Sequence, residues 1–229
     1  MGRVARLAIA AMLAVVATAL LGVEAGAADD TCASFDATAA ADAVRVSSNP
    51  AGLAPVDEAD GEGPAAQAHV DSLGISSGFA GIPYSKAAVG NAGAGDVDHR
   101  SIPVMVTSAH PSNPDESRST PAGSLKATSE ELASKAEAIA GGPGDEQTTV
   151  GRSRAAADVS CATSGVVKAA STAVSEASSF SGGVLRIGSV RTTASATTNA
   201  SGATVLRSSI DVDGASVVGQ RVTIGEGDS

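Results

Sequence analysis

Apolar and polar positions alternate most clearly between Ser181 and Ile224, SGGVLRIGSVRTTASATTNASGATVLRSSIDVDGASVVGQRVTI. Three extended runs stand out: Val184–Thr198, Thr204–Val212 and Ser216–Ile224. Val, Ile and Thr crowd them, and β-branched side chains fit a pleated surface better than a helix. Asn199-Ala200-Ser201-Gly202 separates the first two runs and Asp213-Gly214 the last two. Glycine accepts positive φ without steric cost, and Asp-Gly is a favoured two-residue hairpin turn. The pattern predicts an antiparallel meander with a hairpin at Asp213-Gly214. Leu206, Ile210 and Val212 share one face of the second run, and Val218, Val222 and Ile224 one face of the third. Of these, Leu206, Ile210, Val218 and Val222 are expected to face the core. Arg207, Ser209, Gln220 and Arg221 are expected to face solvent.

Similar runs lie upstream. Thr148–Ser153, Ala156–Thr163 and Val166–Ser178 are strand candidates, with Ser164-Gly165 as a turn. Ala43–Ser47 reads as a strand ended by Asn49-Pro50. AAQAHVDSLGISSGFAGIPYS alternates loosely up to Pro83, and Ile102–Ser108 is a further strand that Pro103 places at an edge or a strand start. Asp57–Gly63, Ala87–Arg100 and Pro111–Pro121 read as connections, being rich in Gly, charge or Pro. Leu125–Ala140 carries two readings. Thr128-x-x-Glu131 is a capping box ahead of Gly141-Gly142, which favours helix; a strand would put Leu125, Ala127, Ala133 and Ile139 on one face. The fold class is mainly β: an antiparallel meander of long strands forming a broad twisted sheet, with room for one short helix. No fixed-period repeat is present, which sets aside propellers and solenoids.

Composition thins the expected core. Three Phe, one Tyr and no Trp leave Ala, Val, Ile and Leu to fill it, and these bury little area per residue. Residues 1–27 read as a signal peptide. Arg3 and Arg6 precede the apolar run Leu7–Val23, and Ala25-Gly26-Ala27 supplies small residues for cleavage after Ala27. Residues 28–229 then form a single secreted β-rich domain. Two positive charges and one negative leave with the leader, which takes the net charge from −10 to −11. Such a chain repels phosphate backbones, so nucleic acid is excluded as a partner, and no membrane contact is expected after cleavage. Export into an oxidising compartment pairs Cys32 with Cys161 in a disulfide, closing a loop of about 130 residues.

At AAQAHVDSLGISSGFAGIPYS, SGGVLRIGSVR and ASVVGQRVTIG the chain resembles a group of uncharacterised secreted proteins from high-GC Gram-positive bacteria. The resemblance implies an all-β fold of long alternating strands, with no known activity, and it implies strand at Leu125–Ala140. The group's Pro-Tyr-Pro-Gly turn stands here as Pro83-Tyr84-Ser85-Lys86. Similar proteins run on past the position of Gly225–Ser229, which implies a chain cut short, a last strand without a neighbour, and self-association through that edge.

Chemistry-bearing motifs are few. Gly74-Ile75-Ser76-Ser77-Gly78 matches the G-x-S-x-G of hydrolase nucleophile elbows, with His69, His99 or His110 as the available base. That motif needs a buried strand before it and a helix after it, and neither pattern is present. Asp96-Val97-Asp98-His99 and Asp211-Val212-Asp213-Gly214 place carboxylates at i and i+2, short of the oxygen ligands that Ca²⁺ requires. Two cysteines without a C-x-x-C pair do not make a structural zinc site. Asn199-Ala200-Ser201 matches a glycosylation sequon but reads as a turn. No phosphate-binding loop or dinucleotide fingerprint occurs, so no cofactor is expected. The expectation is a non-enzymatic structural or binding protein, with a serine hydrolase using Ser76 as the alternative. Intact-mass measurement of exported protein should give a chain beginning at Ala28; retention of Met1–Ala27 would refute the leader assignment.

Overall fold

Of the three clearest runs, Val184–Thr198 and Thr204–Val212 are strand almost throughout, whereas Ser216–Ile224 is broken by a turn at Val218-Gly219. The computed structural model describes residues 19–22, 32, 34–48, 59–82, 84–85, 104–120, 123–142 and 150–222. The second half of the chain forms one antiparallel meander, whose strands are β9 (Asp115–Thr120), β10 (Gly123–Glu130), β11 (Ala133–Gly142), β12 (Val150–Cys161), β13 (Val167–Phe180), β14 (Leu185–Thr198) and β15 (Thr204–Asp213). Each pairs with its predecessor in sequence, the arrangement that short turns impose. Two short strands, β16 (Ser216–Val217) and β17 (Gln220–Arg221), complete this sheet.

A second antiparallel sheet covers part of the first. Its order is β1 (Ala19–Gly22), β2 (Asp36–Asp42), β5 (Ala65–Asp71), β6 (Ser76–Ile82) and β8 (Val104–His110). β2 packs over β12 and β13, β5 over β11 and β12, and β6 and β8 over β10. Beside it lies a small sheet of β3 (Arg45–Ser48), β4 (Ala59–Glu62) and β7 (Tyr84–Ser85). The molecule is therefore a β-sandwich whose larger layer is the meander. No helix among the described residues is long and apolar enough to cross a membrane.

Alternation along each strand sends alanine inward. Ala37, Ala39 and Ala41 on β2 and Ala66 and Ala68 on β5 meet Ala155 and Ala157 on β12 and Ala136 and Ala138 on β11 in one buried cluster. Larger side chains close the two ends of this layer: Val70, Val159 and Phe35 at one, Ile82 and Leu125 at the other. Cys32 is joined to Cys161 at the end of β12, with 6.1 Å between the Cα atoms. The bridge spans 129 positions and ties the segment before β2 to the meander. In the chain-entropy model a loop of that length contributes at most about 5 kcal/mol.

Several sequence expectations shift. Asp213-Gly214 is not a hairpin turn. β15 pairs Thr204 with Thr198 and β16 pairs Val217 with Leu185 in an unbroken register, so both lie along the same edge of β14. The reversal comes five residues later at Val218-Gly219, both with positive φ, between Val217 and Gln220. The expected inward positions Leu206, Ile210, Val218 and Val222 are all exposed, Leu206 by 69% and Ile210 by 58%. Val212 is half-buried, and Ile224 lies outside the described residues.

Leu125–Ala140 is neither a helix nor a single strand. It is the β10–β11 hairpin, turning at Glu131-Leu132. The turn changes the parity of the inward positions, so Leu125 and Ala127 pair with Ala138 and Ala136 and face inward. Ala133 and Ile139 stand on the other face, half-buried. Thr148–Ser153 and Ala156–Thr163 merge into β12; Pro111–Pro121 contains β9, and Asp57–Gly63 contains β4. Ala87–Arg100 lies outside the described residues.

An alanine-thin layer is sensitive to added volume. Ala155→Leu should lower stability by about 1–3 kcal/mol or more, since an extra isobutyl group forces the sheets apart. Ala170→Leu, on the exposed face of β13, should stay within about 0.5 kcal/mol in the same urea titration. Equal unfolding midpoints for the two variants would contradict the packing described.

Candidate functional site

Ser76 occupies the first position of β6, directly after the turn that carries Gly74 at φ 77°. It is fully buried, and its Oγ donates to the Glu130 carbonyl on β10 at 2.6 Å. This is a bond between the two sheets. The nucleophile elbow needs its serine exposed on a strained strand-to-helix turn, and Ser76 is instead an enclosed strand residue. Gly78 has a packing role too. A Cβ there would lie 2.7 Å from Ser108 Oγ, 3.3 Å from Ala127 Cβ and 3.2 Å from the Lys135 carbonyl across the gap. In this chain the G-x-S-x-G spacing serves a hairpin turn, an inter-sheet bond and a close approach.

Two further serine contacts accompany it. Ser134 Oγ on β11 donates to the Ser77 carbonyl at 2.7 Å. Ser108 on β8 and Ser129 on β10 are buried and share a hydrogen bond of 2.7 Å. All three bonds join β6 or β8 to β10 or β11. A hydroxyl is about as small as a methyl group yet can satisfy a carbonyl where water is excluded, so these serines fill space and hold the layers together.

The structure separates the candidate bases. His110, at the end of β8, is the register partner of Ser76, but Ser76 Oγ is directed to Glu130 and His110 Nδ1 is buried without a partner. His69, on the outer face of β5, has Nδ1 3.2 Å from Thr38 Oγ1 and 3.4 Å from Asp36 Oδ1. Its neighbour across β6 is Ser77, not Ser76. Thr38, His69 and Ser77 thus form a register row on the outer sheet face, with Asp36 diagonal to His69. His99 and Asp96–Asp98 lie outside the described residues. Asp211 and Asp213 are exposed on β15, and no group of three or more His, Cys, Asp or Glu side chains able to hold a metal occurs among the described residues. Asn199 does act in a turn: its Oδ1 accepts from the backbone N–H groups of Ser201 and Ala203.

A concavity of about 330 Å³ lies on the outer face of the meander, across β10 to β13. Alternation brings five charged side chains into it: Lys126, Lys135, Glu137, Arg154 and Asp158. Arg154 Nε donates to Glu137 Oε1 at 2.9 Å, and Lys135 Nζ lies 3.1 Å from Asp158 Oδ2. Ala156, Ala170 and Thr172 line it between the charges. Both ion pairs are solvated and individually worth at most about 1 kcal/mol. Together they make a shallow polar surface. The sequence reading missed this ladder, although Lys135 and Glu137, two residues apart, and Arg154 and Asp158, four apart, were its visible signal.

No family model, curated protein or solved structure matches the chain.

Replacing Ser76 should read out as stability. Ser76→Ala removes a hydrogen bond inside a water-free gap and should cost about 1–3 kcal/mol. Ser77→Ala, whose side chain is exposed, should change the unfolding midpoint little; the reverse order would contradict the assignment of the inter-sheet bond.

Proposed function

We propose that the chain is a non-enzymatic β-sandwich module, secreted or held at the cell envelope, that acts as a structural or binding element through its broad sheet faces. The observation that carries this reading is the burial of Ser76 with its hydroxyl bound to the Glu130 carbonyl. The one nucleophile pattern in the sequence is thereby part of the packing. The outer faces add breadth. Short Ser, Thr and Ala side chains and paired charges such as Arg154–Glu137 make a shallow mosaic, whereas small-molecule turnover favours a deep, largely apolar pocket with converging polar groups.

The Cys32–Cys161 bridge supports placement outside the cytoplasm, because disulfides persist in oxidising compartments. The net charge of −10 supports a partner other than nucleic acid. A fluorophosphonate probe applied to exported, disulfide-bonded protein should leave it unlabelled. Stoichiometric labelling that disappears in Ser76→Ala would overturn the proposal and establish a serine hydrolase.

A further inference from the structure

The two layers are unequal, and the difference falls on one side. β2 lies over β12 and β13, while β14 and β15 extend beyond it. The inner face nevertheless continues outward: Ala196 and Thr192 on β14 are buried, and their register partners on β15 are the exposed Leu206 and Ile210. Among the described residues, the strand of the second sheet that reaches β14 is β1, paired antiparallel with β2. β1 belongs to the Leu7–Val23 run that the sequence marks for removal. Two hydroxyls of this inner face, Ser171 Oγ and Thr192 Oγ1, are buried without a hydrogen-bond partner. Each such group is unfavourable where it stays buried.

We propose that in the mature chain this position, and the β14–β15 inner face beside it, are closed by the same face of a second copy. The strand count makes the surface self-complementary. With the leader removed, β2 is the last described strand of one layer, and the other runs two strands further. A two-fold axis parallel to the strands, set midway between the layers, carries the β14–β15 overhang of each copy into the vacancy of the other. The inner faces then meet, and the free edge of each β15 lies beside the partner copy's β2. β2 and β15 run in the same direction, because β6 opposes β10 across the gap, so this joint is a parallel pair.

Charge favours the same occupant. The inner positions of β15 are Thr204, Leu206, Ser208, Ile210 and Val212, none charged, so two acidic chains can meet there without like charges opposed. The outward positions include Arg207 and Asp211. Ser208 adds a hydroxyl that can serve a facing Ser or Thr. A face of ten-residue strands, two strands wide, has a footprint of about 33 by 10 Å, which suits a weak, concentration-dependent dimer.

The inference deepens the structural reading above and rests on it, but its test reads mass and not probe labelling, so either can fail alone. Exported protein, its N-terminus checked by intact mass, is followed by sedimentation velocity from about 1 µM to about 1 mM. A dimer should grow in with concentration. Ile210→Asp and Ser208→Arg should each raise the dissociation constant at least about tenfold, while Ser209→Asp, one residue away on the opposite face, leaves it unchanged. All three positions are exposed, so circular dichroism should be unaltered. A monomer throughout, equal weakening by Ser209→Asp, or a leader still attached to a dimeric chain would each overturn the proposal.

Discussion

The gap between the sheets is set by alanine, and the rest of the structure follows from that. Aligned β-sandwiches usually keep their layers about 10 Å apart with larger aliphatic and aromatic side chains between them. Here the central rows are Ala39, Ala68, Ala138, Ala155 and Ala157, so the backbones approach closely. Gly78 shows how closely, since a Cβ there would come within 3.2 Å of the Lys135 carbonyl on the facing sheet. A methyl group buries little area, and hydrophobic stabilisation scales with area. The fold offsets this by breadth, repeating a small contact over many strands, and by adding directional bonds where serine replaces alanine. Ser76, Ser108, Ser129 and Ser134 sit at one end of the gap for that reason. A larger residue at any of them would separate the layers and break the neighbouring bonds together.

The disulfide complements the thin layer. Within the meander each strand pairs with its neighbour in sequence, so its pairing closes small loops at low entropic cost. The sheet of β2, β5, β6 and β8 must instead be brought onto the meander from farther away in sequence. Cys32–Cys161 fixes that long-range relation at the edge of the alanine layer, beside Phe35 and Val159. It acts where the chain-entropy term is large and the side-chain contribution small.

The legibility of the sequence followed the same physics. Strands β13 and β14 could be read directly because each alternates along fourteen residues, and Gly165 and Gly202 adopt the positive φ their turns require, whereas β12 read as two shorter runs, Thr148–Ser153 and Ala156–Thr163. The errors came where a local signal competed with an available partner. Asp213-Gly214 is a favoured turn, but β14 still offers backbone groups from Gly188 back to Leu185, and the chain keeps pairing until that edge ends. Val218-Gly219 then turns despite a β-branched residue at φ 51°, a position no local rule would select. Thr128 and Glu131 form a helix-capping pattern, yet Leu125 and Ala127 gain burial only as a strand. The candidate site was less legible. G-x-S-x-G is a statement about spacing, and whether its serine is exposed depends on a second sheet the motif does not contain. The ladder of Lys135, Glu137, Arg154 and Asp158 needed the register of β11 against β12 before its charges could be matched.

The uneven layers bear on how such a protein would be used. Closing a sandwich at both edges requires equal strand counts or an element that caps the overhang. The meander continues past β2 to β15, and β15 carries apolar residues on the face that a cover would occupy. Leu206 and Ile210 on the inner face of β15 are exposed, which is costly for an isolated domain in water, because the exposed area gains nothing from burial. Polar substitution at Leu206 and Ile210 would remove that cost without disturbing the β14–β15 hydrogen bonds. Their presence in an otherwise Ser/Thr-rich strand favours a contact there, and the buried, unpartnered hydroxyls of Ser171 and Thr192 add that the contact surface has polar groups to satisfy. A partner that brings both apolar area and hydroxyls answers both, and the inner face of β14 and β15 has that composition.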